Sequence, residues 1–209
     1  MADRGEYQTE QEYKWIIPHG FEFEKLKEIR NIDVTLLDIE RITMAATYYD
    51  TVDSYIARMH GALRIRRENE RSICCMKILT SSDGAYKKRE EYEVASATIL
   101  DGLQLLPTKG APADICTKLL HSNLLVLCNI EFVRNVYRIE INHSTRSCIA
   151  EFAMDAGILK GKAVAHFEEV ELEFISGCSD VFHSLAQLLE SQFSFVPEPR
   201  SKIARAMTL

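Results

Sequence analysis

The stretch T-E-Q-E-Y-K-W, Thr9 to Trp15, decides how the rest of the chain is read. Successive side chains of a β-strand point to opposite faces, so as a strand this segment projects two carboxylates and an ammonium, Glu10, Glu12 and Lys14, from one side. The same period recurs along the chain. It gives Arg64 and Arg66 in L-R-I-R, Arg89, Glu91 and Glu93 in R-E-E-Y-E, Glu151 and Asp155 in A-E-F-A-M-D, and Glu169, Glu171 and Glu173 in E-V-E-L-E-F. The intervening residues are mostly apolar: Leu63 and Ile65, Phe152 and Met154, Val170, Leu172 and Phe174. Each such strand carries one charged face and one apolar face.

An antiparallel sheet with its polar face in water accounts for any single strand of this kind. The repetition points elsewhere. Glutamates at i, i+2 and i+4 repel one another unless something positive faces them, and other strands supply clustered Arg and Lys. A surface that concentrates carboxylates and fixed cations suits a polyanion that arrives with divalent metal, meaning polyphosphate or a nucleoside triphosphate with Mg²⁺ or Mn²⁺.

At 209 residues and 46% hydrophobic content, the chain has the length of one well-packed domain, residues 1–209, and is short for two. A formal net charge of −6 argues against a nucleic-acid or membrane-surface partner, since both need a net basic face. No apolar run approaches the roughly 18 residues that span a bilayer, and the N-terminal M-A-D-R-G-E-Y-Q-T-E is too polar for a signal peptide, so a cytoplasmic location is expected. The six cysteines form no C-x-x-C pair and read as free, buried thiols. The histidines form no triad-like or H-x-x-x-H setting, which leaves no basis for histidine catalysis or zinc.

Periodicity and turn residues predict strands over residues 7–17, one or two within 32–50, then 61–68, 72–79, 86–94, 125–141, 147–155 and 164–175. Helices are expected over 21–30, 96–106 and 113–122, from Ser179 or Asp180 onward with Val181, Phe182, Leu185, Leu188, Leu189 and Phe193 on one side, and after Pro199. The fold class is therefore α+β. It is a closed eight-stranded antiparallel β-barrel whose charged faces line a tunnel, with helices packed outside to cover the apolar faces, Ile65 among them.

The ordered set of motifs resembles the CYTH domain family, also called triphosphate tunnel metalloenzymes, and within it the bacterial inorganic triphosphatases. The resemblance runs from about Glu10 to Met207. It rests on E-x-E-x-K at Glu10, Glu12 and Lys14, Y-Y-D-T at Tyr48 to Thr51, L-R-I-R at Leu63 to Arg66, M-K at Met76 and Lys77, and R-x-E-Y at Arg89 to Tyr92. It continues through Arg134, Glu151 and Asp155, E-x-E-x-E at Glu169 to Glu173, and S-K-x-A-R at Ser201 to Arg205. A lone E-x-E-x-K is a weak signal; the ordered series is a specific one. Those triphosphatases carry a further helical domain after this one; the sequence to Leu209 is expected to act without it, with any tethering it provides missing or supplied by another protein.

The resemblance implies hydrolysis of inorganic tripolyphosphate, with Mg²⁺ or Mn²⁺ as cofactor and tripolyphosphate or another triphosphate compound as partner. Lys14, Arg64, Arg66, Lys77, Arg89, Arg134 and Lys202 are the expected substrate-binding residues. Glu169 and Glu171 are expected to hold the metal that bridges the phosphates. Glu10, Glu12 and Asp155 are expected at a second metal, with Glu91 and Glu151 as further candidates there and Glu173 left open. Glu10 and Glu12 are the catalytic pair, and Glu12 is the expected general base. The named cations fall one short of the named carboxylates, so metal and polyanion are expected to bind together. Thiamine triphosphatases and a class of adenylyl cyclases use the same scaffold, and these motifs separate neither from tripolyphosphatase. A polyphosphate-binding module without turnover is a third alternative, which the intact Glu10 and Glu12 pair disfavours.

Overall fold

The computed structural model describes residues 8–209; residue 7 of the first expected strand and the polar leader before it lie outside them. Eight antiparallel strands close on themselves. In chain order they are β1 (Gln8–Ile16), β2 (Asp33–Thr51), β3 (Gly61–Glu68), β4 (Arg71–Asp83), β5 (Tyr86–Ala95), β6 (Leu124–His143), β7 (Arg146–Lys160) and β8 (Val164–Gly177). Neighbouring strands run β5-β4-β3-β2-β6-β7-β8-β1, and β1 pairs back to β5, so the sheet closes into a barrel. A two-residue β9 (Val196–Pro197) adds to the end of β1.

Tight turns set the register. Asn69 adopts φ 53° where β3 folds into β4, and Gly84 adopts φ 54° between β4 and β5. Strands run past their expected ends: β4 reaches Asp83 and β7 reaches Lys160. Gly157 therefore sits within β7 and not at a turn, and a Cβ there would lie 2.1 Å from the Glu131 carbonyl oxygen on β6. Of the turns expected near Gly157 and Gly161, the reversal falls at Gly161.

Among the described residues, five α-helices decorate the barrel: α1 (Tyr55–Arg58), α2 (Ile99–Leu105), α3 (Ala113–Leu120), α4 (Ser179–Phe193) and α5 (Lys202–Met207). The segment expected as a helix at 21–30 is a short 3-10 helix, Phe23–Glu28. The expected N-cap at Ser179 or Asp180 is also displaced, since Cys178 takes that position and no side chain caps the helix. The brief α1 has no apolar repeat to announce it. It forms because the buried Asp50 carboxylate accepts hydrogen bonds from the Ile56 and Ala57 backbone N–H groups, at 2.8 and 3.0 Å.

Two apolar clusters lie between the barrel's outer face and these helices. Trp15, Phe152, Val170 and Leu172 pack under α4 through Phe182, Leu185 and Leu189, and the 3-10 helix adds Phe23 and Leu26. Leu63, Cys74 and Met76 pack under α2 and α3 through Leu103, Cys116 and Leu119. Ile65, expected under a helix, is half-buried: it packs against this second cluster and also lines an open surface groove with Thr47, Arg67 and Asn129.

A third cluster lies inside the barrel, where an entirely charged lining was expected. Tyr48 stands opposite Arg64 on β3 and Cys128 opposite Tyr48 on β6, so the inward residues of β2 and β6 form an apolar wall. Met44, Ala46, Ile130 and Phe132 join Leu159 and Phe167 there, and Ala206 of α5 packs against them. The C-terminal helix thus sits in one mouth of the tunnel. Its approach depends on Gly161, where a Cβ would lie 2.0 Å from the Ala206 carbonyl oxygen.

Candidate active site

Strand parity and register bring the expected site residues into one lumen. Glu10, Glu12 and Lys14 of β1 face Arg89 and Lys87 of β5 on one side and Glu173 and Glu171 of β8 on the other. Arg64 and Arg66 of β3 stand opposite Cys75 and Ile73 of β4, and Lys77 of β4 stands opposite Glu91 of β5. Arg134 of β6 faces Asp155 of β7, which in turn faces Glu169 of β8. Lys202 comes from the first turn of α5, where the Ser201 side chain caps the Ala204 N–H.

The charges sort into two groups. On the β1–β5–β4–β3 wall, Lys77 donates to both oxygens of Glu10 at 2.8 Å and lies 3.1 Å from Glu91. Arg66 pairs with Glu68 at 2.6 Å and Glu93 at 2.8 Å, Arg64 stands 3.7 Å from Glu91, and Arg89 binds Glu12. Arg64 also donates to the Tyr48 hydroxyl at 3.1 Å. Burial works against the Lys77 charge, but Glu10 and Glu91 outweigh it and hold its pKa above the ordinary value.

On the β6–β7–β8 wall, Arg134 forks onto Asp155 at 2.8 and 2.7 Å and also reaches Glu171. Lys202 contacts Asp155 at 2.8 Å and Glu171 at 2.9 Å, and binds Glu169, which Arg205 also binds. Burial again opposes the Lys202 ammonium, and Asp155, Glu169 and Glu171 together more than offset it. The converse holds for Glu171: burial raises its pKa, yet Lys202 and Arg134 hold it well below the ordinary carboxylate range.

Asp155, Glu169 and Glu171 each place one carboxylate oxygen within 4.8 Å of the others. An all-oxygen donor set of this kind fits a hard divalent cation such as Mg²⁺ or Mn²⁺. The grouping differs from the expectation, because the register puts Asp155 beside Glu169 and Glu171 and leaves Glu10 and Glu12 with Lys77 and Arg89. Glu173 takes no part in any ion pair among the described residues, and burial followed by the Glu10 charge pushes its carboxyl well up. Glu91 belongs to the arginine wall, while Glu151 faces Arg138 and Glu173 across the strands.

Several side chains of the lumen fall outside the expected set, among them Arg205, Tyr48 and Lys87. Arg205 binds Glu169 and lies 5.2 Å over the Phe167 ring. Tyr48 orients Arg64. Lys87 is 4% exposed with no hydrogen-bond partner at Nζ, and burial, with Lys14 and Arg89 adding, draws its pKa down to about 7. Its signal was available in the sequence, since Lys87 lies two residues before Arg89 and shares its face. The Nε atoms of Arg64 and Arg66 are buried and unpartnered as well. Lys14, 2% exposed, donates to the Arg200 carbonyl, and burial lowers its pKa.

The fold is a closed antiparallel barrel whose lumen pairs fixed cations with an oxygen-only acidic cluster. The chain belongs to the CYTH domain family, whose model matches residues 8–207. Among solved structures, it is similar to an adenylyl cyclase candidate from Hippeastrum described as having a dominant triphosphatase activity, with 16% identity, 95% of each chain covered and a TM-score of 0.63. It is also similar to a protein from Pyrococcus horikoshii, with 16% identity, 95% and 98% covered and a TM-score of 0.54. A further likeness is to an adenylate cyclase candidate from Bacillus halodurans, with 14% identity, 93% and 95% covered and a TM-score of 0.51. At these identities the likeness is one of fold. No helix among the described residues is long and apolar enough to cross a membrane.

Proposed function

We propose that this chain hydrolyses inorganic tripolyphosphate to pyrophosphate and orthophosphate with the help of Mg²⁺ or Mn²⁺. One observation carries the reading: partly buried Arg64 and Arg66, each with a buried, unpartnered Nε, share a closed lumen with the acidic trio Asp155, Glu169 and Glu171. Unsatisfied guanidinium donors call for an anion, and an oxygen-only acidic cluster calls for a hard cation. A triphosphate bound with divalent metal satisfies both.

Arg64 and Arg66 would grip phosphate oxygens through their fixed forks, with Lys77 and Lys14 as point charges beside them and Arg89, Arg134 and Lys202 along the lumen. The carboxylates that now hold these cations keep them oriented before substrate arrives, so little reorganisation is needed at the reaction. Bound metal, held by Asp155, Glu169 and Glu171 with Glu10 and Glu12 as further oxygen donors, would neutralise phosphate charge and polarise the bond to be broken. Glu12 takes a proton from the attacking water. The new P–O bond forms at the terminal phosphorus as the bond to the bridging oxygen breaks, and pyrophosphate leaves.

The interior aromatic residues Phe132 and Phe167 are already covered by Lys202, Arg205 and Ala206, which leaves them unavailable to stack an organic group and supports a substrate made of phosphate alone. The dominant triphosphatase activity described for the Hippeastrum protein supports hydrolysis over cyclisation. Rates on tripolyphosphate, thiamine triphosphate and ATP with Mg²⁺ or Mn²⁺ test the reading. Tripolyphosphate should be fastest, with no cyclic product from ATP; a faster organic triphosphate would overturn the substrate assignment.

A further inference from the structure

Lys87 enters the tunnel one strand step, about 6.6 Å, from Arg89. Across the sheet it faces Glu12, but the Glu12 carboxylate is held by Arg89. Its other close charged neighbour is Lys14, whose ammonium is committed to the Arg200 carbonyl. Lys87 Nζ is therefore buried beside two cations with no acceptor of its own. Such a group destabilises the fold unless something binds it. Folds usually avoid this by pairing the amine or letting it reach water, and here neither occurs.

The position narrows what the missing partner is. Lys14 donates its backbone N–H to the Ala85 carbonyl, and the Lys14 carbonyl accepts from Glu198, so Lys14 and Lys87 lie at the end of the tunnel where the chain turns into α5. Arg64, Arg66 and Lys77 line the other part of the same wall. An anion that reaches from those arginines to Lys87 must be elongated and carry oxygens along its length, as a chain of phosphates does.

We propose that Lys87 binds a terminal phosphate of the triphosphate, forming with Lys14 a two-ammonium subsite at the α5 end of the tunnel. The inference rests on the triphosphatase reading and goes beyond it by assigning where one end of the substrate lies. An ammonium suits this role because its three protons follow an oxygen whose position shifts, while the arginine forks fix the rest of the chain. Lys87 thus contributes to affinity for the substrate more than to the chemical step.

The test compares wild type with Lys87→Met, Lys87→Gln and Lys87→Arg in the full chain. Melting is followed with and without tripolyphosphate plus Mn²⁺, and KM and kcat are measured on tripolyphosphate. Removing an unpaired buried charge should leave the ligand-free melting temperature of Lys87→Met or Lys87→Gln equal to or above that of wild type. KM should rise about tenfold or more, with a smaller change in kcat, and Lys87→Arg should recover most of the loss. A wild-type KM in both neutral variants, or a lower melting temperature with unchanged KM, would overturn the assignment to Lys87 alone. If wild type neither hydrolyses tripolyphosphate nor is stabilised by it, the functional reading fails and this inference falls with it.

Discussion

Lys202 Nζ lies 2.8 Å from Asp155 Oδ2, so the first residue of the C-terminal helix places a cation among the carboxylates best suited to hold a metal. Protein ammonium and divalent metal therefore compete for the same oxygens. In the Lys202→Met protein without metal, Asp155 and Glu169 keep only Arg134 and Arg205, and stability should fall by about 3 kcal/mol, the scale for breaking a buried ion pair. Mn²⁺ alone should then raise the melting temperature of the variant more than that of wild type. Equal stabilisation of the two proteins by Mn²⁺ would show that the cluster is not the metal site.

Glu12 is 4% exposed and held by Arg89. Glu12→Gln keeps the side-chain size and removes one negative charge from a lumen that must accept a polyanion, so tripolyphosphate should bind as tightly or more tightly. The catalytic constant should drop by on the order of a hundredfold, the scale for losing a positioned general base. Parallel measurement of kcat, Kd and melting temperature separates the roles, and a near-normal kcat would reduce Glu12 to a salt-bridge residue.

Leu63 and Ile65 share the outer face of β3 but not its burial. Leu63→Ala should cost about 2–5 kcal/mol, because Leu63 is fully buried beneath α2 and α3. Ile65→Ala should cost clearly less, since Ile65 borders an open groove. Urea midpoints for the two variants check the order, and a reversed order would mean that the covering helices are misplaced.

Glu198, hydrogen-bonded by Arg200, has its carboxyl pKa drawn from 4.5 down to about 2. A depressed carboxylate stabilises the fold above its unfolded pKa and loses that contribution as pH falls through the folded value. Wild type should therefore be more stable than Glu198→Gln at pH 6, with the difference shrinking steadily between about pH 4.5 and 2. A difference that stays constant over that window would place the effect in packing and not in charge.

The barrel was legible in the sequence because charged residues recur at every second position over 10–14, 64–66, 89–93 and 169–173, and those residues meet in the lumen. The β2–β6 wall was not, since Met44, Ala46 and Ile130 point inward while their outward neighbours Ala45 and Thr47 carry no charge to mark the face. Asp155 was named, but its place beside Glu169 and Glu171 was not legible, because pairing register between β7 and β8 is set by turns and packing and not by spacing within either strand. Lys87 escaped since its alternation was counted from Arg89 onward. The seat of α5 depends on Gly161 and on interior apolar contacts, long-range features that local pattern does not carry.

The central claim, metal-dependent hydrolysis of a triphosphate in this tunnel, is tested most directly by orthophosphate release from tripolyphosphate by the wild-type chain, with Mn²⁺ or Mg²⁺ and again in excess EDTA. The account predicts steady release with metal, one pyrophosphate formed for each orthophosphate, and loss of activity with the chelator. Undiminished turnover in EDTA, or no turnover of tripolyphosphate with either metal, would contradict it.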